Sequence, residues 1–142
     1  MNSDLNCHIV SLRILFDQDA LEACIYHRAA EYMKELILLG NDLVVSKELL
    51  SDKLFTADML EVIGKVCSKE KYFDLVVSYF DNDSLNVRDA VVSVLENWGG
   101  EDSIKALSSH NDRVDWIQDY IERVLISLKN VNKENSFCAK KH

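Results

Sequence analysis

The clearest pattern of apolar positions lies between residues 84 and 98. Five apolar residues lie there at positions i, i+4, i+7, i+8 and i+11, which places them on one face of an α-helix: Val87, Val91, Val94, Leu95 and Trp98. Ser84 precedes them as a candidate N-cap, and Gly99-Gly100 follows, where glycine commonly ends a helix. This stretch therefore predicts an amphipathic helix between a polar turn and a glycine stop.

The same pattern returns thirty residues further along the chain. Five residues of the later segment align with Val87, Asp89, Val91, Val94 and Leu95, in that order: Ile117, Asp119, Ile121, Val124 and Leu125. A repeat of this length, made of helix, turn and helix, is typical of solenoid proteins. The repeat therefore indicates stacked helical hairpins.

Apolar periodicity over the rest of the chain predicts eight helices in about four hairpins. Polar breaks such as Asp17-Gln18-Asp19 and glycine stops such as Gly40-Asn41 separate them. The predicted pairs are 5–16 with 20–39, 43–54 with 56–68, 71–80 with 84–98, and 102–109 with 113–128. We therefore expect an all-α domain over residues 1–128, followed by a flexible basic tail over 129–142 that has no apolar stripe.

Besides helix 84–98, four of these helices have apolar stripes that predict which residues face the core. In helix 5–16 they are Leu5, Ile9, Leu12 and Phe16, and in helix 20–39 they are Leu21, Ile25, Tyr32, Leu36 and Leu39. In helix 56–68 they are Met59, Leu60, Ile63 and Cys67, and in helix 71–80 they are Phe73, Val76, Val77 and Phe80.

Length and composition fit a protein that folds in water. The 142 residues suffice for one domain with its own core, and 48% of them are hydrophobic. No apolar run approaches the roughly 20 residues of a membrane span, and the N-terminus has no basic region typical of a signal peptide. We therefore expect a cytoplasmic protein without a membrane segment.

The net charge of the chain favours some classes of binding partner over others. The chain has a net charge of −8, and the tail alone has four lysines against one glutamate, so the remaining residues are more acidic than the whole. Such a surface repels phosphates, which disfavours direct binding to nucleic acid and to anionic membranes. A basic protein partner is favoured, because opposite potentials accelerate encounter. The alternative is that the acidity serves solubility alone.

No catalytic or metal-binding motif stands out. The phosphate-binding loops, GxSxG and HExxH are absent from the sequence. Cys7-His8 together with Cys24-x-x-His27 offers four possible zinc ligands, but adjacent helical residues point about 100° apart, so ordinary packing is favoured. We therefore expect no enzyme activity, no cofactor and no metal site. A remaining alternative is an enzyme that holds a cofactor between its helices.

The segment Asp83-x-x-x-Val87-Arg88-x-Ala90-x-x-x-x-Leu95 resembles a HEAT or HEAT-like repeat. The resemblance is good over 71–98, fair over 102–128, weak over 43–68 and poor in the N-terminal pair. It implies a short right-handed α-solenoid of about four HEAT-like hairpins. In such repeats the arginine bonds to a turn aspartate of its own or a neighbouring repeat, so the resemblance implies a structural role for Arg88.

In a solenoid of this kind the inner helices line the usual binding face. The polar and aromatic residues expected there are Asp58, Glu61, Asp89, Glu96, Asp115, Trp116, Asp119, Tyr120 and Glu122. The acids could form a negative strip across three helices, and Trp116 and Tyr120 fit an interface hot spot. The alternatives are simple solvation of the acids, and packing of the two aromatic residues against helix 102–109 or at the end of the stack.

These features together predict a non-catalytic protein-binding module. Small acidic helical proteins of this size are similar to immunity proteins of bacterial contact-dependent growth inhibition systems, some of which look like HEAT-type stacks. That similarity implies a basic toxin partner, most concretely a nuclease, whose phosphate-binding site an acidic face could cover. The alternative is a HEAT-repeat adaptor or scaffold for a partner that is not a toxin.

Overall fold

All regular structure in the computed structural model, which describes residues 3–22 and 26–140, is helical. The eight α-helices of these residues are α1 (Ser3–Glu22), α2 (His27–Leu39), α3 (Asp42–Leu50), α4 (Thr56–Val66), α5 (Lys69–Val77), α6 (Leu85–Trp98), α7 (Gly100–Ser109) and α8 (Asp115–Lys140). A short 3-10 helix, Ser78–Asp81, follows α5. The predicted all-α class is thereby confirmed. No helix among the described residues is both long enough and apolar enough to cross a membrane.

The chain divides into two compact units, Met1–Asp74 and Leu75–His142, and the boundary falls inside α5. A single HEAT-like domain over residues 1–128 stays a prediction.

In the first unit α1 packs against α2 and α3, and α4 packs against α2 and α3. Apolar side chains from all four helices fill its core, where Phe16 of α1 stacks on Phe55 with ring centres 5.8 Å apart. The core residues of α1 and α4 include Ile9, Leu12, Phe16, Met59, Leu60 and Ile63. Cys67, just beyond α4, is buried as well. The stripe predicted for helix 56–68 is therefore confirmed, and so is the one for helix 5–16 apart from Leu5, which is half-buried.

The predicted break at Asp17-Gln18-Asp19 is wrong. Helix α1 runs through these residues to Glu22, because neither a glycine nor a proline interrupts it. The next helix begins only at His27, after Tyr26, whose φ of 65° is left-handed and incompatible with a continuing helix. The predicted helix 20–39 is therefore shorter at its start.

This later start also changes the apolar stripe of α2. Ala29, Ala30, Met33 and Leu36 are buried, whereas Leu39 is 63% exposed. Tyr32 is half-buried, and the side chains of Leu21 and Ile25 lie outside the described residues. The buried stripe of α2 therefore includes two alanines, whereas the predicted stripe consisted of large apolar side chains.

In the second unit α6 is the central helix, packed against the 3-10 helix, α7 and α8, and α7 also packs against α8. The predicted stripe of α6 is confirmed: Val87, Val91, Val94 and Leu95 are buried and Trp98 is half-buried. Ser84 is the N-cap residue by position, although its side chain makes no capping bond. Gly99 ends the helix with a φ of 62°, as the glycine stop predicts.

Two predicted ends in this unit differ from the structure. The helix predicted over 71–80 tightens into the 3-10 turn after Val77. Of its predicted stripe, Val76 and Phe80 are buried, whereas Phe73 and Val77 are half-buried. Helix α8 continues past Leu128 to Lys140. The segment from residue 129, predicted as a tail, is thus helical as far as Lys140, because it contains neither glycine nor proline.

Candidate functional site

The nine candidate residues are divided between the two units. Asp58 and Glu61 lie on α4 in the first unit. The other seven lie in the second unit, on α6 (Asp89 and Glu96) and on α8 (Asp115, Trp116, Asp119, Tyr120 and Glu122). We call these seven residues the α6–α8 face. The structure therefore brings together the candidate residues of α6 and α8, because these two helices are in direct contact.

A hydrogen bond joins the two helices at this face. The Tyr120 hydroxyl of α8 donates to Glu96 Oε1 of α6 over 3.0 Å. The two helices are already held together underneath by buried residues, among them Val91 of α6 and Ile121 of α8. The bond therefore fixes an acid of α6 beside the exposed surface of α8.

Three acids in the first half of α8 are exposed. Asp115, Asp119 and Glu122 all face solvent, and none forms an ion pair with another described residue. The nearby cation is Arg123, whose guanidinium lies over the Tyr120 ring, 5.7 Å from its centre. Acids three or four residues apart on an exposed helix repel one another, and a cation of a binding partner would reduce this repulsion.

Asp89 differs from the other acids of the face. Its side chain is half-buried beside the core of the second unit, and this burial raises the pKa of its carboxyl. The carboxyl of Asp89 therefore takes up a proton at a higher pH than an ordinary aspartate does.

Trp116 is 49% exposed, so half of its surface is available at the start of α8. It lines an open groove of about 500 Å³ together with four further residues of the same helix: Asp119, Glu122, Arg123 and Ile126. Ile126 is 63% exposed. An exposed aromatic side chain such as Trp116 is typical of the centre of a protein interface, and charged side chains are typical of its rim.

Asp58 of α4 has an internal partner. Its Oδ1 accepts a hydrogen bond of 2.7 Å from the Tyr26 hydroxyl, in the first unit. Burial raises the pKa of Asp58, and the bond from Tyr26 offsets this only in part. Asp58 thus stabilises the left-handed residue that precedes α2. Glu61 is half-buried on the same helix.

Arg88 is bonded to a turn aspartate, as the resemblance to HEAT repeats implies. Its side chain is 2% exposed, and its Nε donates to Asp112 Oδ2 over 2.9 Å. Its Nη1 donates to the carbonyl oxygens of Asn82 and Asp83. Because the guanidinium is buried and all three of its nitrogens donate hydrogen bonds, it contributes to packing and turn geometry and is inaccessible to a ligand.

Asp112 is also held by groups other than Arg88. His110 Nε2 lies 2.8 Å from Asp112 Oδ2, and the Val114 amide donates to Oδ1. Burial alone would raise the pKa of Asp112, but the bonds from Arg88, His110 and Val114 outweigh it and lower the pKa to about 2. The carboxylate therefore stays charged at neutral pH inside the second unit.

A second buried aspartate, Asp42, lies in the first unit and is not among the residues that the sequence pattern singled out. The Tyr72 hydroxyl donates to Asp42 Oδ2 over 2.6 Å, and Lys71 Nζ lies 3.0 Å from the same oxygen. Burial works against the charge, but these bonds prevail and lower the pKa of Asp42. The available signal was an Asn-Asp pair at a turn, which occurs here as Asn41-Asp42 and again as Asn111-Asp112.

Cys67 lies beside this cluster and is unreactive. Burial, together with the charge of Asp42, raises the pKa of its thiol to about 12. A thiol with this pKa is protonated at neutral pH, so Cys67 packs as a small apolar side chain and does not act as a nucleophile.

Metal ligands are not gathered within the part of the chain that the structure describes, where no three His, Cys, Asp or Glu side chains lie close enough to hold an ion. Of the zinc ligands considered from the sequence, Cys24 lies outside the described residues, and His8 bonds to the Tyr32 hydroxyl at 2.7 Å. The chain matches no protein-family model, no curated protein and no solved structure at a significant level.

Proposed function

We propose that this chain is a non-catalytic protein-binding module whose α6–α8 face binds a basic protein. The observation that carries this proposal is the row of exposed, unpaired acids on α8, Asp115, Asp119 and Glu122, next to the half-exposed Trp116. A basic partner relieves the repulsion among these acids, and Trp116 supplies apolar contact area once the partner is seated.

The architecture proposed for the module is a short right-handed solenoid of HEAT-like hairpins. Helix contacts within each unit support it, since alternate helices touch: α1 with α3, α2 with α4, and α6 with α8. The bond from Arg88 to Asp112 gives further support, because it links one hairpin to the turn aspartate of the next. In this architecture α6 and α8 are the inner helices of successive hairpins. The surface that these two helices expose together is then the binding side.

In its most concrete form, the proposed module is a cytoplasmic immunity protein that neutralises a nuclease toxin. A nuclease holds phosphate in a basic active site, and an acidic face can cover that site or clamp a basic surface beside it. Attraction between opposite charges gives the rapid association that a neutralising protein needs. The size, acidity and helical build of the chain agree with this role.

The test uses two variants of the full chain with the same change in charge. The face variant carries Asp89→Asn, Glu96→Gln, Asp115→Asn and Asp119→Asn. The control variant carries four changes of exposed acids elsewhere: Glu70→Gln, Asp81→Asn, Asp83→Asn and Asp102→Asn. Each tagged chain captures proteins from a lysate of its native cells, and the captured proteins are identified by mass spectrometry.

We expect a basic protein to be captured by the wild-type and control chains and lost with the face variant. Co-expression with the product of the neighbouring gene tests the immunity role: the wild-type chain should restore growth if that product is toxic, and the face variant should protect less. A captured basic protein that is not a toxin would indicate the adaptor role instead. Equal capture by the wild-type chain and the face variant would refute the proposed binding face.

A further inference from the structure

Helix α8 carries a second stripe of residues besides the one it buries. Its core stripe is Ile117, Ile121, Val124 and Leu128. The second stripe, which we call the outer stripe, repeats at steps of three, four and three residues and is exposed throughout: Trp116, Asp119, Arg123 and Ile126. Such spacing is that of a helix that pairs with another helix along its length.

The side chains of the outer stripe are placed symmetrically about the middle of the stripe. Those at equivalent distances from the middle are either both apolar or of opposite charge. Trp116 and Ile126 lie five residues before and after Ile121, and Asp119 and Arg123 lie two residues before and after it. The stripe thus reads apolar, acid, base, apolar. A rotation of 180° about an axis perpendicular to the helix exchanges the positions of Asp119 and Arg123, so an acid then faces a base.

We propose that a second copy of this chain docks on the outer stripe, with the two α8 helices antiparallel about a twofold axis that crosses the outer stripe midway between Asp119 and Arg123, at the height of Ile121 along the helix. In this arrangement Trp116 faces the partner's Ile126, and Asp119 faces the partner's Arg123. Twofold symmetry makes both contacts occur twice, as in any isologous interface. Glu122 and the partner's Tyr120 are likewise equidistant from the axis.

Charge favours a second copy over a simple basic helix as the occupant. Neither Asp119 nor Arg123 forms an ion pair with another described residue, so each has charge to offer. A uniformly basic helix would satisfy Asp119 but place like charge against Arg123. A second copy satisfies both, and it covers the groove that Trp116 and Ile126 line together with charged residues.

The contact is small, so the dimer is weak. Trp116 and Ile126 are ten residues apart, which spans about 15 Å along a helix. The net charge of −8 on each copy also opposes association. Since the dimer covers Trp116 and Asp119, self-association competes with any partner that uses the α6–α8 face. The inference itself concerns the chain alone and stands independently of the proposed function.

Sedimentation equilibrium of the full chain, from low to high micromolar concentration, tests the dimer. Asp119→Arg places like charges opposite Arg123, and Arg123→Asp does the same opposite Asp119. Each variant alone should raise the dissociation constant of the dimer by about tenfold or more, because both ion pairs become repulsive. The control variants Asp83→Arg and Lys105→Glu change charge off the stripe and should leave that constant nearly unchanged.

The decisive step is to mix the two single variants. Opposite charges face each other again in the mixed dimer, so the mixture should associate at least as tightly as the wild-type chain. The double variant with both substitutions should regain its own dimer for the same reason. Circular dichroism spectra matching that of the wild-type chain confirm folding. A wild-type chain that stays monomeric at high micromolar concentration, or a mixture no tighter than its components, overturns the proposal.

Discussion

Arg88 and Asp112 place a full ion pair inside the second unit, with side chains 2% and 0% exposed. Removing charges from water is costly, and this pair offsets the cost with several hydrogen bonds to each partner. Neither residue tolerates the loss of the other, because the remaining charge would be buried without its partner. The pair is thus a structural requirement at the junction of two turns.

Replacing Arg88 tests this dependence. Arg88→Met keeps most of the side-chain volume but leaves the Asp112 carboxylate without its main partner, so we expect a loss of about 3–5 kcal/mol in the free energy of unfolding. Urea unfolding followed by circular dichroism measures it. Arg113→Met is the matched control, because Arg113 is exposed and should cost less than about 0.5 kcal/mol. Equal losses in the two variants would contradict a structural role for Arg88.

Asp112 also makes the stability of the protein depend on pH. Its pKa is about 2 in the folded chain against an ordinary value of 3.8, so folding favours its charged form. The stabilisation is complete above the ordinary pKa and is lost as the pH falls from about 4 towards 2. By linkage it amounts to about 2 kcal/mol at neutral pH.

The measurement is the free energy of unfolding between pH 6 and pH 2 for the wild-type chain and for Asp112→Asn. The variant should be less stable at neutral pH, and its stability should fall less steeply below about pH 4, since position 112 no longer takes up a proton. Parallel curves for the two chains would show that Asp112 does not contribute to the acid sensitivity.

At the scale of the helices, two glycines end their elements in different backbone conformations. Gly40 after α2 has φ 76° and ψ 15°, the left-handed region that asparagine also tolerates. Gly99 after α6 has φ 62° and ψ −164°, a region that is essentially restricted to glycine. A side chain at either position has room, since the nearest atom to a Cβ at Gly99 is 3.6 Å away and none lies within 4 Å at Gly40.

Backbone strain should therefore decide the effect of substitution at these two sites. We expect Gly40→Ala to cost about 1 kcal/mol and Gly99→Ala about 2–3 kcal/mol in the free energy of unfolding. Asparagine should recover most of the loss at Gly40 and little of it at Gly99. Thermal and urea unfolding of the four variants provide the comparison, and a neutral Gly99→Ala would argue against the assigned backbone conformation.

How well the sequence predicted each helix depended on what sets its ends. The stripe of α6 was predictable because large apolar residues define its core face and Gly99 ends it. The start of α2 was not, because the change of direction is made by Tyr26 in a left-handed conformation and no local residue type requires this. The buried face of α2 begins with Ala29 and Ala30, whose small side chains give a weak periodic signal.

At the scale of the whole molecule, the sequence predicted which acids of α8 face outward but not the environment of each candidate. The core stripe of α8 fixes Asp115, Asp119 and Glu122 on its exposed side. Burial distinguishes Asp89 and Asp58 from them, and it depends on neighbouring helices that are distant in sequence. The bond between Tyr120 and Glu96, 24 residues apart, is long-range as well.

The central claim is that the α6–α8 face attracts a basic protein, and the rate of association with the captured partner tests it most directly. Stopped-flow measurement at nanomolar chain concentration and rising salt compares the wild-type chain with the face variant and the control variant of equal charge. We expect the face variant to associate at least about tenfold more slowly at low salt and to show a weaker salt dependence, while the control stays close to wild type. An association rate at low salt that is the same for the face variant as for the wild-type chain would contradict the claim.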